Sequence, residues 1–156
     1  MPASLKATGT PFTKIYLKTR CGLARTDILK GMDISDERFE ELINQAMDEL
    51  PQEYIQNLDN IAIVQADEPS EEQKEKMHID GNSLLLGLYE GIPLTQRGNG
   101  YAFVLPDKIT LFKRPIMAVS ATEDAFYEQI KRTLWHEIAH FYGLSHADMD
   151  ARIHKQ

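Results

Sequence analysis

Residues 133–146 read T-L-W-H-E-I-A-H-F-Y-G-L-S-H, which contains H-E-x-x-H-x-x-G-x-x-H without a mismatch. On a helix, His136 and His140 project from one face one turn apart, so their imidazoles can share one ion, and Zn²⁺ is the metal that such a pair suits. Glu137, beside them, is placed to take a proton from a metal-activated water rather than to bind the metal, the general-base position of a zinc hydrolase. Gly143 reaches positive φ at low steric cost, so it is expected to end the helix and turn the chain back, bringing His146 round as a third ligand.

H-E-x-x-H alone arises by chance in a chain of this length roughly once in a few hundred sequences, usually on a surface helix. The further Gly and His at fixed offsets lower that rate to on the order of one in a hundred thousand. Three of the five histidines fall within eleven residues. His78 and His154 stand apart from the motif and are read as solvated bystanders.

The motif helix needs an anchor, and the sequence supplies one. Thr122 is a capping residue followed by Glu123 and Asp124, and Tyr127, Ile130, Leu134, Ile138 and Phe141 recur along one face. A second amphipathic helix is expected from Ser35, with Phe39, Leu42, Ile43, Ala46, Met47 and Leu50 as its apolar stripe, before Pro51 opens another short turn to about Leu58. Strands are expected at residues 61–66, 83–90, 101–105 and 108–113, the last two separated by Pro106-Asp107 and ended by Pro115, with Lys113 and Arg114 marking an exposed edge. Residues 70–82 are charged, lack an apolar period and are expected to form a solvated loop.

A chain of 156 residues suits one compact domain with a real core. Hydrophobic residues make up 42% and charged residues 26%, and no apolar run approaches membrane-spanning length, so no membrane segment is expected. Cys21 is the lone cysteine, which suits a reducing, cytoplasmic setting and leaves histidines and carboxylates as metal ligands. Net charge is −7, but residues 1–31 carry six Lys or Arg against Asp27, a net of +5, leaving −12 for the remainder. An acidic body argues against a broad nucleic-acid surface, although Arg97, Lys108, Lys113 and Arg114 offer a weak basic patch. No secretory signal is evident in residues 1–31. They are a loosely docked extension, a transit-like segment or sequence upstream of a start at Met32, and the change of charge and pattern at Met32 favours the last, with the functional domain at residues 32–156.

From about Asp33 to His146 the chain resembles the small bacterial zincin-like metallopeptidases. The resemblance is carried by Leu85-Leu86-Gly87-Leu88-Tyr89-Glu90-Gly91-Ile92-Pro93-Leu94-Thr95, by Leu105-Pro106-Asp107-Lys108-Ile109-Thr110-Leu111-Phe112-Lys113-Arg114-Pro115 and by His136-Glu137-Ile138-Ala139-His140. It implies an α+β, minimal zincin-like fold: a small twisted sheet, mostly antiparallel or mixed, a backing helix and the H-E-x-x-H helix beneath. It also implies His136 and His140 as ligands and Glu137 as base; members often carry Asp where this chain has His146. The likeness to metzincins is local, because those proteins need more chain after the third ligand, and Met149 follows His146 too soon. Bacterial rRNA-maturation metalloproteins share the histidine spacing but lack Glu after the first His.

The expected activity is therefore zinc-dependent hydrolysis of a peptide or protein lying extended along an edge strand within residues 101–113, with Tyr142 and Tyr101 as candidate donors to the oxyanion. The competing expectations are a non-proteolytic zinc-binding regulatory or interaction module and a metal-dependent hydrolase acting on RNA. Nothing in the sequence sets the oligomeric state.

Overall fold

The computed structural model describes residues 16–18, 32–98, 105–145 and 147–149. In chain order the elements are β1 (Tyr16–Lys18), α1 (Asp36–Glu49), α2 (Gln52–Ile55), β2 (Ile61–Ala66), α3 (Glu71–Lys76), β3 (Ser83–Leu85), β4 (Gly87–Glu90), a 3₁₀ turn (Leu94–Gln96), β5 (Asp107–Phe112), α4 (Lys113–Ala118) and α5 (Glu123–Phe141). The architecture is α+β: a three-stranded mixed sheet in the order β2-β5-β4, with α1 and α5 packed together and α5 lying against β4 and β5.

β5 is the central strand, parallel to β2 from Ile61↔Asp107 to Ala66↔Phe112 and antiparallel to β4 from Gly87↔Leu111 to Glu90↔Lys108. This corrects the expectation that Lys113 and Arg114 mark an exposed strand edge. Five of the six β5 residues are buried, the pattern of a strand covered on both faces. Lys113 and Arg114 instead open α4, and Pro115 sits in its first turn, where a missing N–H costs nothing. Among the described residues the outer strands are β2 and β4.

The single strand expected at residues 83–90 divides at Leu86. β4 pairs with β5, while β3 pairs antiparallel with β1, Tyr16↔Leu85 through Lys18↔Ser83. Three residues of the basic N-terminal extension thus join the body of the protein. Residues 70–82 contain a helix where a loop was expected. The Ser70 hydroxyl accepts from Gln73 N–H while the Gln73 side chain accepts from Ser70 N–H, a capping box, and Glu71–Lys74 and Glu72–Lys76 ion pairs at 2.8 and 3.0 Å support the turns. No residue of α3 is buried, so it carries no apolar period. Of the strand expected at residues 101–105, only Leu105 is described.

The two long helices follow their sequence signals. Ser35 caps α1 by accepting from Arg38 N–H at 3.1 Å, and Thr122 caps α5 by accepting from Ala125 N–H at 3.1 Å. Phe39, Leu42, Ile43 and Ala46 of α1 meet Phe126, Ile130, Leu134 and Ile138 of α5 in one core with Ile109 and Leu111 of β5. Phe39 and Phe126 are in direct contact, their ring centroids 5.6 Å apart. Truncating a side chain as enclosed as Leu134 to Ala costs about 2–5 kcal/mol at such positions. No helix among the described residues is long and apolar enough to cross a membrane.

Candidate metal centre

α5 ends as Gly143 predicts. Gly143 lies at φ +71°, its N–H donates to His140 O, and Leu144 N–H donates to Ala139 O, both at 2.9 Å. This is a Schellman closure, which needs a residue that tolerates left-handed backbone. The last turns of α5 carry His136 and His140 with ring centroids 4.5 Å apart and planes at 82°. His140 is buried and His136 half-buried, so the pair faces a partly sheltered space rather than open solvent.

Glu137, on the adjoining face, is fully buried, and neither carboxylate oxygen has a hydrogen-bond partner among the described residues. Burial pushes its pKa up from 4.5 to about 8; the nearby backbone N–H of Tyr89 opposes that shift without completing a hydrogen bond. Two imidazoles one turn apart and a carboxylate buried without a counter-charge fit a divalent cation, which would favour the anion.

β4 reaches this face through Gly87. A Cβ there would lie 2.7 Å from Thr133 Cγ2 and 3.2 Å from Glu137 Cγ, so only glycine lets the strand backbone lie directly on the helix. Gly87 was not anticipated as a site residue; a glycine interrupting Leu84-Leu85-Leu86 and Leu88 was the available signal for such a close approach. The expected oxyanion donors fare differently. Tyr142 spends its hydroxyl on Tyr54 O at 2.7 Å and packs edge-on against the Tyr54 ring, tying α2 to the end of α5. Tyr101 lies outside the described residues.

His146, the expected third ligand, also lies outside the described residues. Next to it, Ser145 and Asp148 cap each other: the Ser145 hydroxyl donates to Asp148 Oδ2 at 2.6 Å and accepts from Asp148 N–H at 3.2 Å. Met149 is buried. Among the described residues, no three His, Cys, Asp or Glu side chains converge as a metal cluster. The weak basic patch read from sequence is dispersed: Arg97 pairs with Asp107, Lys108 with Glu90, Lys113 with Asp36 and Asp67, and Arg114 with Glu68.

A capped helix bearing H-E-x-x-H, laid against a small mixed sheet, defines a protein of the zincin class. Residues 58–155 match the family described as zincin-like metallopeptidase, and the chain belongs to that family. Membership implies a metal, typically zinc, and suggests a peptidase. No curated protein matches the chain.

Proposed function

We propose that this protein is a zinc-dependent peptidase in which His136, His140 and His146 hold the metal and Glu137 is the general base. The observation that carries the reading is the buried Glu137 carboxylate, without a hydrogen-bond partner among the described residues and one residue from His136 on a helix closed by Gly143. Zinc held by these residues would supply Lewis-acid chemistry, polarising the scissile carbonyl and acidifying water toward neutral pH. Glu137 takes the proton from the attacking water onto a carboxylate oxygen, helped by surroundings that raise its proton affinity, and passes it to the departing amine. Gly87 lets β4 lie close enough to hold that carboxyl in place, and the α1–α5 core keeps the two histidines in register. The substrate strand joins the outer edge of β4 by main-chain hydrogen bonds, because β5, where sequence reasoning put it, is enclosed on both sides.

The test is cleavage of a mixed peptide library, read by mass spectrometry. Wild-type protein is expected to cut with about one zinc per chain, to stop after chelation and to recover with added zinc. Glu137→Gln at equal zinc loading is expected to cut at least ~100-fold more slowly, the scale of a general base. No cleavage by zinc-loaded wild type overturns the peptidase reading in favour of a zinc-binding module, and equal cleavage by Glu137→Gln overturns the assigned base.

A further inference from the structure

His136 and His140 are fixed by helix geometry, but the chain leading to the third proposed ligand leaves α5 at Gly143. Its direction of departure is set by what packs against that turn, and residues 91–97 do so. A Cβ on Gly143 would overlap the Thr95 side chain, and the Arg97 guanidinium lies over the Phe141 ring, 5.1 Å from its centroid.

The same residues are tied to the sheet. Arg97 Nη2 is ion-paired with Asp107 at the start of β5, and Arg97 Nε donates to Ile92 O at 2.8 Å. Tyr89 of β4 donates its hydroxyl to the same Asp107 oxygen at 2.5 Å. Gly91 makes room, since any side chain there would overlap the Asp107 carboxylate. A guanidinium can stack on a ring, bind a carboxylate and donate to a carbonyl at once because its donors lie in one rigid plane; an ammonium cannot make all three contacts.

We infer that Arg97 is a positioning residue of the metal site: through Asp107 it fixes residues 91–97 to the sheet, and through Phe141, with Thr95 against Gly143, it braces the turn from which the third ligand is presented. The functional side of this inference rests on the zinc reading above, whereas the brace itself is a property of the fold. Arg97 touches no reacting atom. It acts through the end of α5.

The test compares Arg97→Gln and Arg97→Lys in the full chain with Lys131→Ala. Lys131, elsewhere on α5, bridges Glu49 of α1 and Glu128 of α5, so its loss reports general destabilisation without touching residues 91–97. Two readouts are taken on protein shown to be folded by the fluorescence of the single tryptophan, Trp135. One is hydrogen exchange at the Gly143 and Leu144 amides relative to Ile130 and Leu134 in mid-helix. The other is zinc affinity by competition with a chromogenic chelator.

Arg97→Gln is expected to speed exchange at Gly143 and Leu144 by about tenfold or more relative to mid-helix. It is also expected to weaken zinc binding by roughly 10–100-fold, the scale seen when the support of a metal ligand is removed. Arg97→Lys is expected to fall between Arg97→Gln and wild type, and Lys131→Ala to leave both readouts at wild-type values. Exchange at the turn that merely follows mid-helix in Arg97→Gln, or zinc affinity equal to wild type, overturns the inference. If Arg97→Gln does not fold, Arg97→Lys is judged by the same two criteria. Wild-type protein that takes up no zinc sinks the zinc reading and the positioning role with it, while the exchange measurement still decides whether the brace exists.

Discussion

Among the described residues Asp107 and Glu137 are the two buried carboxylates, and the fold treats them in opposite ways. Asp107 accepts from the Tyr89 hydroxyl and is paired with Arg97, and its presence holds the Tyr89 pKa above the usual phenol value, after the larger effect of burial. Among the same residues Glu137 has no hydrogen-bond partner for its carboxylate and is left with a raised proton affinity. A buried charge that is matched inside the fold organises structure, as Asp107 does for residues 91–97. A buried charge left unmatched costs stability until a cation or a proton arrives, and it persists where chemistry needs it.

The contrast is sharpened by removing each charge in turn. Asp107→Asn removes the carboxylate charge paired with the mostly buried Arg97 cation and is expected to destabilise the protein by about 3–5 kcal/mol, measured by urea unfolding followed through Trp135 fluorescence. A loss below about 1 kcal/mol would place the pair with ordinary surface salt bridges and erase the distinction.

A smaller effect is expected at the contact between β4 and α5. Gly87→Ala drives a methyl group into Thr133 and toward Glu137, for an expected loss of about 1–3 kcal/mol. Adding Thr133→Ser removes the nearest methyl and should return most of that stability while leaving peptide cleavage depressed, because the new Cβ still presses on Glu137 Cγ. Cleavage restored in step with stability would show that Gly87 serves packing alone.

How far the sequence disclosed these arrangements depended on whether an interaction was local. α5, its Thr122 cap and its Gly143 stop were legible because motif, apolar spacing and cap all lie on consecutive residues, and β2 was legible because a β-branched run is bounded by turn residues on both sides. α3 was missed because it buries nothing, although the Ser70 and Gln73 spacing of a capping box was present. The pairing of Arg97 with Asp107 was hidden for a different reason. Asp107 after Pro106 reads as a turn residue, and only β4 pairing with β5 brings it to Tyr89 and Arg97. Likewise the placement of β5 at the centre of the sheet depends on partners 18 to 46 residues away in sequence, which no local pattern encodes. In the site, His136, Glu137 and His140 follow from the motif; the supporting roles of Gly87, Tyr89 and Arg97 come from packing; His146 lies outside the described residues.

The central claim is that Glu137 is carried in the interior at a cost, and the stability of metal-free Glu137→Gln against wild type across pH tests it most directly. The carboxyl has a folded pKa of about 8 against an ordinary 4.5, so between those values the native state binds the extra proton. Its contribution is therefore harmless below about pH 4.5 and increasingly destabilising as pH rises toward 8. The two proteins differ only at residue 137, so the difference between them isolates Glu137. With chelator present, urea unfolding is expected to show the two proteins nearly equal at pH 4.5 and the Gln variant more stable at pH 7, by up to about 3 kcal/mol. A Gln variant that is less stable than wild type at pH 7 would contradict the account, because it would mean that the Glu137 carboxylate is a structural group with partners of its own.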